Sequence, residues 1–264
     1  MEKARIGDLS LDYASPAAEG HHYPLLFIPG MHEESWLWAN WMKVASQDGW
    51  DAWAINLRGH GNSRPKNLGK VSIMNYVEDV EVTLREIGPA ILVGHSMGGL
   101  IAQIVADRNP KIPAVVLVNS APPRGIFPGN RHTLARYWKP PYLLATTMHK
   151  PLNPQWGDMR YLMLNRMSPE RAKQIFRDLV PESGRATQEL AFWWLLGKAT
   201  KIYCPVLVIG ATDDRLTPVS IQKTTAQKYR ATYREFPGAH VLPVEENWRA
   251  PIKFILQWAA NHKL

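Results

Sequence analysis

The chain has 264 residues, 45% of them hydrophobic and 20% charged, with a formal net charge of +8. These proportions suit a globular protein able to bury a large core, and they exclude a disordered or disulfide-stapled chain, since Cys204 is the only cysteine. No stretch approaches the roughly 18 apolar residues of a membrane span, no N-terminal apolar run marks a secretory signal, and zinc-type cysteine pairs, a Walker loop and basic runs are all missing. The sequence therefore predicts a soluble cytoplasmic protein with no stable membrane insertion and no nucleic-acid partner.

From the N-terminus, the alternation Leu9, Leu11, Tyr13 predicts a short edge strand. Pro24-Leu25-Leu26-Phe27-Ile28 is an apolar run closed by Pro29-Gly30, hence a buried strand ending in a turn. Trp36, Leu37, Trp41, Val44 and Ala45 then fall on one helical face. Ala52–Asn56 is the next strand and runs into the glycine-punctuated loop 57–63, which precedes a predicted helix over Ile73–Ile87. After the strand Ile91–Val93 comes a helix over Met97–Arg108, and after that the strand Ala114–Asn119. The near-continuous β-branched character of this last strand is what a parallel sheet covered on both faces demands.

From Pro122 the rhythm changes. No strand-like run appears up to residue 200, and helical patterns stand out over Pro169–Leu179 and Ala186–Leu196. Aromatic residues and methionines crowd this segment. Between Pro122 and Lys201 there are 13 lysines and arginines against 5 acidic residues, whereas the rest of the chain holds 18 of each sign. The positive excess is either a solvated basic face or an attractor for anionic substrates or surfaces. Alternation resumes with the strand Pro205–Gly210, where Cys204 reads as a buried structural thiol. A helix is predicted to start with Thr217 as its cap and Pro218 in its first position; the strand Thr232–Phe236 and a helix over Trp248–His262 follow.

One stretch carries the chemistry. Ile91-Leu92-Val93 ends at Gly94-His95-Ser96-Met97-Gly98-Gly99, and a helix begins at once. The spacing Gly-x-Ser-x-Gly between a strand and a helix is that of a nucleophile elbow: a tight, strained turn lifts the serine Oγ clear, and the two glycines let strand and helix approach. Helix N–H groups beneath the serine favour negative charge there.

Gly-His-Ser-Met-Gly-Gly in this context resembles the α/β-hydrolase superfamily, in its serine-nucleophile branch (esterase/lipase-like). The resemblance spans nearly the whole chain outside the helical segment. It implies an α/β fold, a mostly parallel sheet covered on both faces, made from residues 1–121 and 202–264. It also implies that residues 122–201 form an inserted helical cap over the nucleophile.

A serine hydroxyl is a weak nucleophile near neutral pH and needs a base, which in turn needs an orienting acid. In this fold the partners follow in the order Ser, Asp/Glu, His. Of nine histidines, His240 stands in a Pro-Gly-shaped loop directly after the last strand and is the candidate base. His95 reads as packed and His60 as structural. The acid should leave the strand Val206–Ile209, where Asp213 and Asp214 both qualify. Asp214-Arg215-Leu216-Thr217-Pro218 resembles the family's Asp-Arg-x-x-Pro run, which favours Asp214. The oxyanion hole implied by the family uses the Met97 N–H and one from the loop after the Leu25–Ile28 strand. There the chain has Pro29-Gly30-Met31 in place of His-Gly, and Met31 is the candidate. Asn56 stands where the family usually has Asp. His32 either faces the pocket or lies on the surface, and Trp138, Phe192 and Trp193 are candidate pocket walls under an apolar, deformable ceiling.

The expected activity is hydrolysis of a small-molecule carboxylic ester, acyl or aryl, through an acyl-enzyme, with no metal or organic cofactor. Alternatives on the same scaffold are a thioesterase or lysophospholipase, a C–C hydrolase or cofactor-free peroxidase, and a non-catalytic receptor. Substrate and oligomeric state are not encoded in any motif.

Overall fold

The computed structural model describes residues 1–17, 20–63, 67–137, 140–198 and 200–264. Trp138 lies outside the described residues. Among the described residues eight strands form one sheet: β1 (Glu2–Ile6), β2 (Leu9–Ala14), β3 (Leu25–Ile28), β4 (Ala52–Ile55), β5 (Ile91–His95), β6 (Val115–Val118), β7 (Val206–Ala211) and β8 (Thr232–Phe236). Their spatial order is β1-β2-β4-β3-β5-β6-β7-β8. β3 to β8 run parallel, and β1 and β2 add an antiparallel edge.

β2 is not the edge strand its alternation predicts. It lies between β1 and β4, and β1 is the edge. β1 escapes a hydrophobic pattern because Glu2, Lys3 and Arg5 face water, the charged composition that protects an edge from pairing with other chains.

The parallel strands are buried on both faces, and alternate residues feed two cores. Leu25 and Phe27 join Trp38, Trp41 and Trp50 with α1 (Ala39–Gln47) and α10 (Arg249–Asn261) on one face. Leu26 and Ile28 join Tyr76, Val77, Leu100 and Ile101 from α2 (Ile73–Ile87) and α3 (Met97–Arg108) on the other. Among the described residues, Trp38, Trp41 and Trp50 are thus fully buried beside the sheet, each contributing at least the ~1.5–3 kcal/mol typical of a large buried apolar side chain. α2 begins where its capping box places it: Ser72 Oγ accepts from Asn75 N, and the Asn75 side chain accepts from Ser72 N.

Between β6 and β7 the described chain forms α4 (Arg131–Tyr137), α5 (Pro140–Thr147), α6 (Trp156–Leu162), α7 (Pro169–Asp178) and α8 (Gly184–Leu196). Ser168 and Ser183 cap α7 and α8. A single antiparallel bridge, Leu152 to Glu182, interrupts this helical stretch. Two local expectations change. Cys204 is half-buried rather than buried, with burial pushing its thiol up to about 11. Thr217 does not cap α9 (Val219–Tyr229), because its hydroxyl is engaged elsewhere; Pro218 takes the cap position.

Candidate active site

The elbow is built from backbone contacts. A Cβ on Gly94 would meet the Gly98 carbonyl oxygen at 2.4 Å, and a Cβ on Gly98 would meet the Ile28 carbonyl oxygen at 2.3 Å. Only glycine admits this approach of β5, α3 and the end of β3. Ser96, between them, has φ 50° and ψ −119°, a backbone conformation costly for a residue with a side chain. Its N–H donates to Val118 C=O at 3.1 Å, and its own carbonyl accepts from Ala121 N at 2.9 Å, so β6 holds the turn from both sides.

Ser96 Oγ lies 3.0 Å from His240 Nε2, and His240 Nδ1 lies 2.8 Å from Asp214 Oδ2. His240 is fully buried, and Ser96 is 6% exposed. The loop after β8 is held to the loop after β7 by Asp213 N donating to Gly238 C=O at 2.9 Å. Asp214 also accepts from Leu216 N, Thr217 N and Thr217 Oγ1 at 2.8–2.9 Å. Burial alone would raise the Asp214 carboxyl, but His240 and these donors outweigh it and hold the group below the ordinary carboxylate range. Asp213 is half-exposed; its carboxylate is held low by the Thr212 hydroxyl and by Arg166 at 2.8 Å, and these side chains, not His240, are its partners. Of the two adjacent aspartates, the fold brings only Asp214 to the histidine.

A second carboxylate–histidine pair lies beneath the first. His95 Nδ1 is 2.7 Å from Glu33 Oε2, both residues being buried, and His95 Nε2 donates to the His240 carbonyl at 2.9 Å. Asn119 Nδ2 donates to the same carbonyl at 2.7 Å. Burial opposes charge on His95, yet Glu33 outweighs it and raises the pKa of the ring above that of ordinary imidazole. Glu33 Oε2 also accepts from Gly30 N at 2.8 Å. A Cβ on Gly30 would lie 2.9 Å from Ser96 Cβ, so the backbone at Gly30, one residue before Met31, runs alongside the serine. Met97 opens α3, and its N–H is one of the four with no partner inside the helix. Met97 and the loop that precedes Met31 thus reach Ser96 from two separate chain segments.

His32 does not lie on the surface. At 3% exposure its Nδ1 donates to Val180 C=O at 2.8 Å, while Val180 N donates to the His32 carbonyl at 3.0 Å. Burial lowers its pKa, so it clasps the segment after α7 as a neutral ring. Phe192 is 42% exposed and faces solvent, whereas its neighbour Trp193 packs against the core on the α2–α3 side of the sheet. Two cavities of about 340 and 380 Å³ lie elsewhere, and none of Ser96, Asp214 and His240 lines either.

Sequence reasoning missed Glu33 and Glu182. Glu182 is fully buried, accepts from Tyr76 Oη at 2.5 Å and Ser183 N at 2.6 Å, and pairs with His60 Nε2 at 3.3 Å. Burial opposes both charges, but each holds the other: the Glu182 carboxyl is lowered and the pKa of His60 raised. His60 is therefore structural, as read, through a partner on the inserted segment. The only sequence signal for Glu33 was its position three residues after Gly30; for Glu182, its place before the cap residue Ser183. Asn56 supports the loop after β3, accepting from Ser35 N at 2.7 Å and donating to Ser10 Oγ at 3.1 Å.

The sequence profile of the alpha/beta hydrolase family matches residues 25–252. A Mycoplasma pneumoniae protein assigned as esterase/lipase 2 is 32% identical over 106 residues, 39% of each chain. Its Mycoplasma genitalium counterpart is 21% identical over 90% of this chain and 89% of that one. Among solved structures, the monoacylglycerol lipase of Paleococcus ferrophilus superposes with a TM-score of 0.74 at 21% identity, covering 99% of this chain and 100% of the other. At that identity the likeness speaks for the fold.

Proposed function

The chain belongs to the alpha/beta hydrolase family, and from that premise we propose that it is a serine hydrolase cleaving carboxylic esters through an acyl-enzyme. The observation that carries the reading is the contiguous line Ser96 Oγ, His240 Nε2 and Nδ1, Asp214 Oδ2, at 3.0 and 2.8 Å. His240 takes the Ser96 proton as Oγ attacks the ester carbonyl. Asp214, kept ionised by its donors, fixes the Nδ1–H tautomer and stabilises the imidazolium. The Met31 and Met97 N–H groups receive the oxyanion. His240 then returns the proton to the departing alkoxide, leaving acylated Ser96. Water, deprotonated by the same imidazole, releases the acid and restores the serine.

In this reading residues 1–121 and 202–264 are the catalytic core, and 122–201 form a cap that excludes water above Ser96. The shielding of Ser96 supports a covered site. The excess of basic residues in the cap favours a second reading, a thioesterase or lysophospholipase taking anionic substrates.

A fluorophosphonate probe tests the nucleophile. The wild-type protein should be labelled and Ser96→Ala should not; equal labelling of both sinks the assignment. p-Nitrophenyl esters of rising chain length, with acyl-CoA controls, rank the substrate classes.

A further inference from the structure

The segment that carries the positive excess also carries most of the exposed apolar bulk. Of the eleven large hydrophobic side chains exposed among the described residues, eight lie between Phe127 and Leu196. They are ordered. On α8, Phe192, Leu195 and Leu196 stand at i, i+3 and i+4, exposed by 42%, 53% and 77%. Leu144 and Met148, four residues apart at α5 and its C-terminal end, are exposed by 62% and 52%. α5 packs against α8, so the two stripes are carried by adjoining helices. Phe127 joins them, half-exposed, with its ring edge-on to Trp194 at 5.0 Å, and Gly125 N donates to Trp194 C=O at 2.8 Å. These helices turn apolar stripes toward water, the reverse of a helix that serves only its own core.

The charges beside the stripes are of one sign. Arg124, Lys150 and Lys198 are exposed in the segments flanking them. α5 and residues 190–196 contain no acidic residue, and Glu189, one position earlier, is engaged by Arg185 Nε and Ile73 N. Exposed apolar side chains on two packed helices, flanked by long cationic side chains, match the boundary of an anionic lipid bilayer: the apolar groups enter the acyl region and the cations meet lipid phosphates. A second copy of the chain is disfavoured as the occupant, because a two-fold contact would press two basic surfaces together.

We propose that the α5–α8 face, with Phe127 and the cations Arg124, Lys150 and Lys198, seats this protein peripherally on an anionic lipid surface. No helix among the described residues is long and apolar enough to cross a membrane, so the association is interfacial and reversible. It does not depend on the hydrolase reading, since binding needs neither Ser96 nor His240.

Sedimentation of the full chain with vesicles of phosphatidylcholine alone, or of phosphatidylcholine and phosphatidylglycerol in equal parts, tests it. The protein carries Ser96→Ala so that no lipid can be turned over. It should sediment with the mixed vesicles, weakly or not at all with phosphatidylcholine, and less as salt rises. Leu195→Ser with Leu196→Ser should lower partitioning about tenfold or more. Lys150→Glu with Lys198→Glu should lower it about 25-fold or more, from about fivefold per cation. Both pairs of sites are exposed, and on the Ser96 background hydrolysis of a soluble ester should be unchanged by the leucine substitutions. Wild-type-like sedimentation of both variants overturns the proposal, as does protein left in solution with mixed vesicles. A dimer in solution abolished by the leucine substitutions overturns it too and assigns the face to a second copy; failure of fluorophosphonate labelling would instead strike the hydrolase reading alone.

Discussion

Glu33→Gln is the sharpest perturbation of the site. Glu33 Oε2 serves two donors at once, Gly30 N at 2.8 Å and His95 Nδ1 at 2.7 Å. His95 cannot give up its other proton, because its Nε2 faces the carbonyl oxygen of His240. A glutamine cannot meet both demands. If its oxygen faces the two donors, His95 must stay cationic with no counter-charge, its ring centroid 4.7 Å from that of His240. At that separation and an effective dielectric near 20, a second positive charge on His240 is opposed by about 3.5 kcal/mol. His95 then sheds its Nδ1 proton, and the amide must turn its NH₂ toward the bare nitrogen. Gly30 N–H is left without an acceptor, a buried donor unmet at about 1–3 kcal/mol.

That lost bond frees the strip of backbone beside Ser96 that presents the Met31 N–H. Complete loss of one oxyanion donor costs about 10²–10³ in kcat, so a loosened one should cost about 10–10²-fold, with KM little changed. Steady-state kinetics on a p-nitrophenyl ester, well below the Tm of each variant, measures the split. Glu182→Gln is the control: it too removes a fully buried carboxylate and lowers Tm, but it should leave kcat near that of wild type. If Glu33→Gln lowers Tm while kcat stays at the wild-type value, or if Glu182→Gln loses kcat equally, the Glu33–His95 pair is structural only and the argument fails.

Asp214→Asn should cut kcat about 10⁴-fold by leaving the imidazole in the wrong tautomer. Asp213→Asn, which breaks a half-exposed pair with Arg166, should change stability by no more than about 1 kcal/mol and leave kcat intact; the opposite result moves the acid by one residue. Denaturation of Glu182→Gln against wild type across pH should show a windowed stability difference. The lowered Glu182 carboxyl contributes above its ordinary value of 4.5, and that contribution disappears as pH falls through its folded value. The raised His60 contributes below its ordinary value of 6.5 and loses its share as pH rises through its folded value. The difference should therefore be greatest between pH 4.5 and 6.5 and shrink on both sides; a flat profile shows that the two side chains are not an ion pair.

What was legible in the sequence is what is decided locally. The elbow shows because two glycines four apart answer a backbone contact made within one turn. α2 shows because Val77, Val80, Val82 and Leu84 make its apolar pattern within the one element; its caps at Ser72 and Gly88 came to light only in the structure. Asp214 and Asp213 were harder to separate: both lie within reach of the strand end, and partners set by the fold sort them, the Thr217 hydroxyl and backbone holding one inward while Arg166 and the Gly238 carbonyl hold the other. Thr217 itself reads as a helix cap because hydroxyl-then-proline is the local signature, and that signature loses to a buried carboxylate three residues away.

The two carboxylates that escaped notice share one reason. A carboxylate buried without a partner is too costly to persist, so Glu33 and Glu182 stay buried only where the fold delivers a histidine to each. His95 arrives from 62 residues away and His60 from 122, and no periodicity or spacing records either meeting. The His95 pairing rests on the strand order, which sets the loop after β3 beside the end of β5. The His60 pairing rests on how the inserted helices dock, through Val180 on His32 and Glu182 beneath Tyr76. One missed pair therefore ties the loop after β3, through His95, to the carbonyl of His240, and the other ties the segment between β6 and β7 to the loop after β4. Both lie at joints between elements, where burial, rather than local pattern, decides which acid and which base must meet.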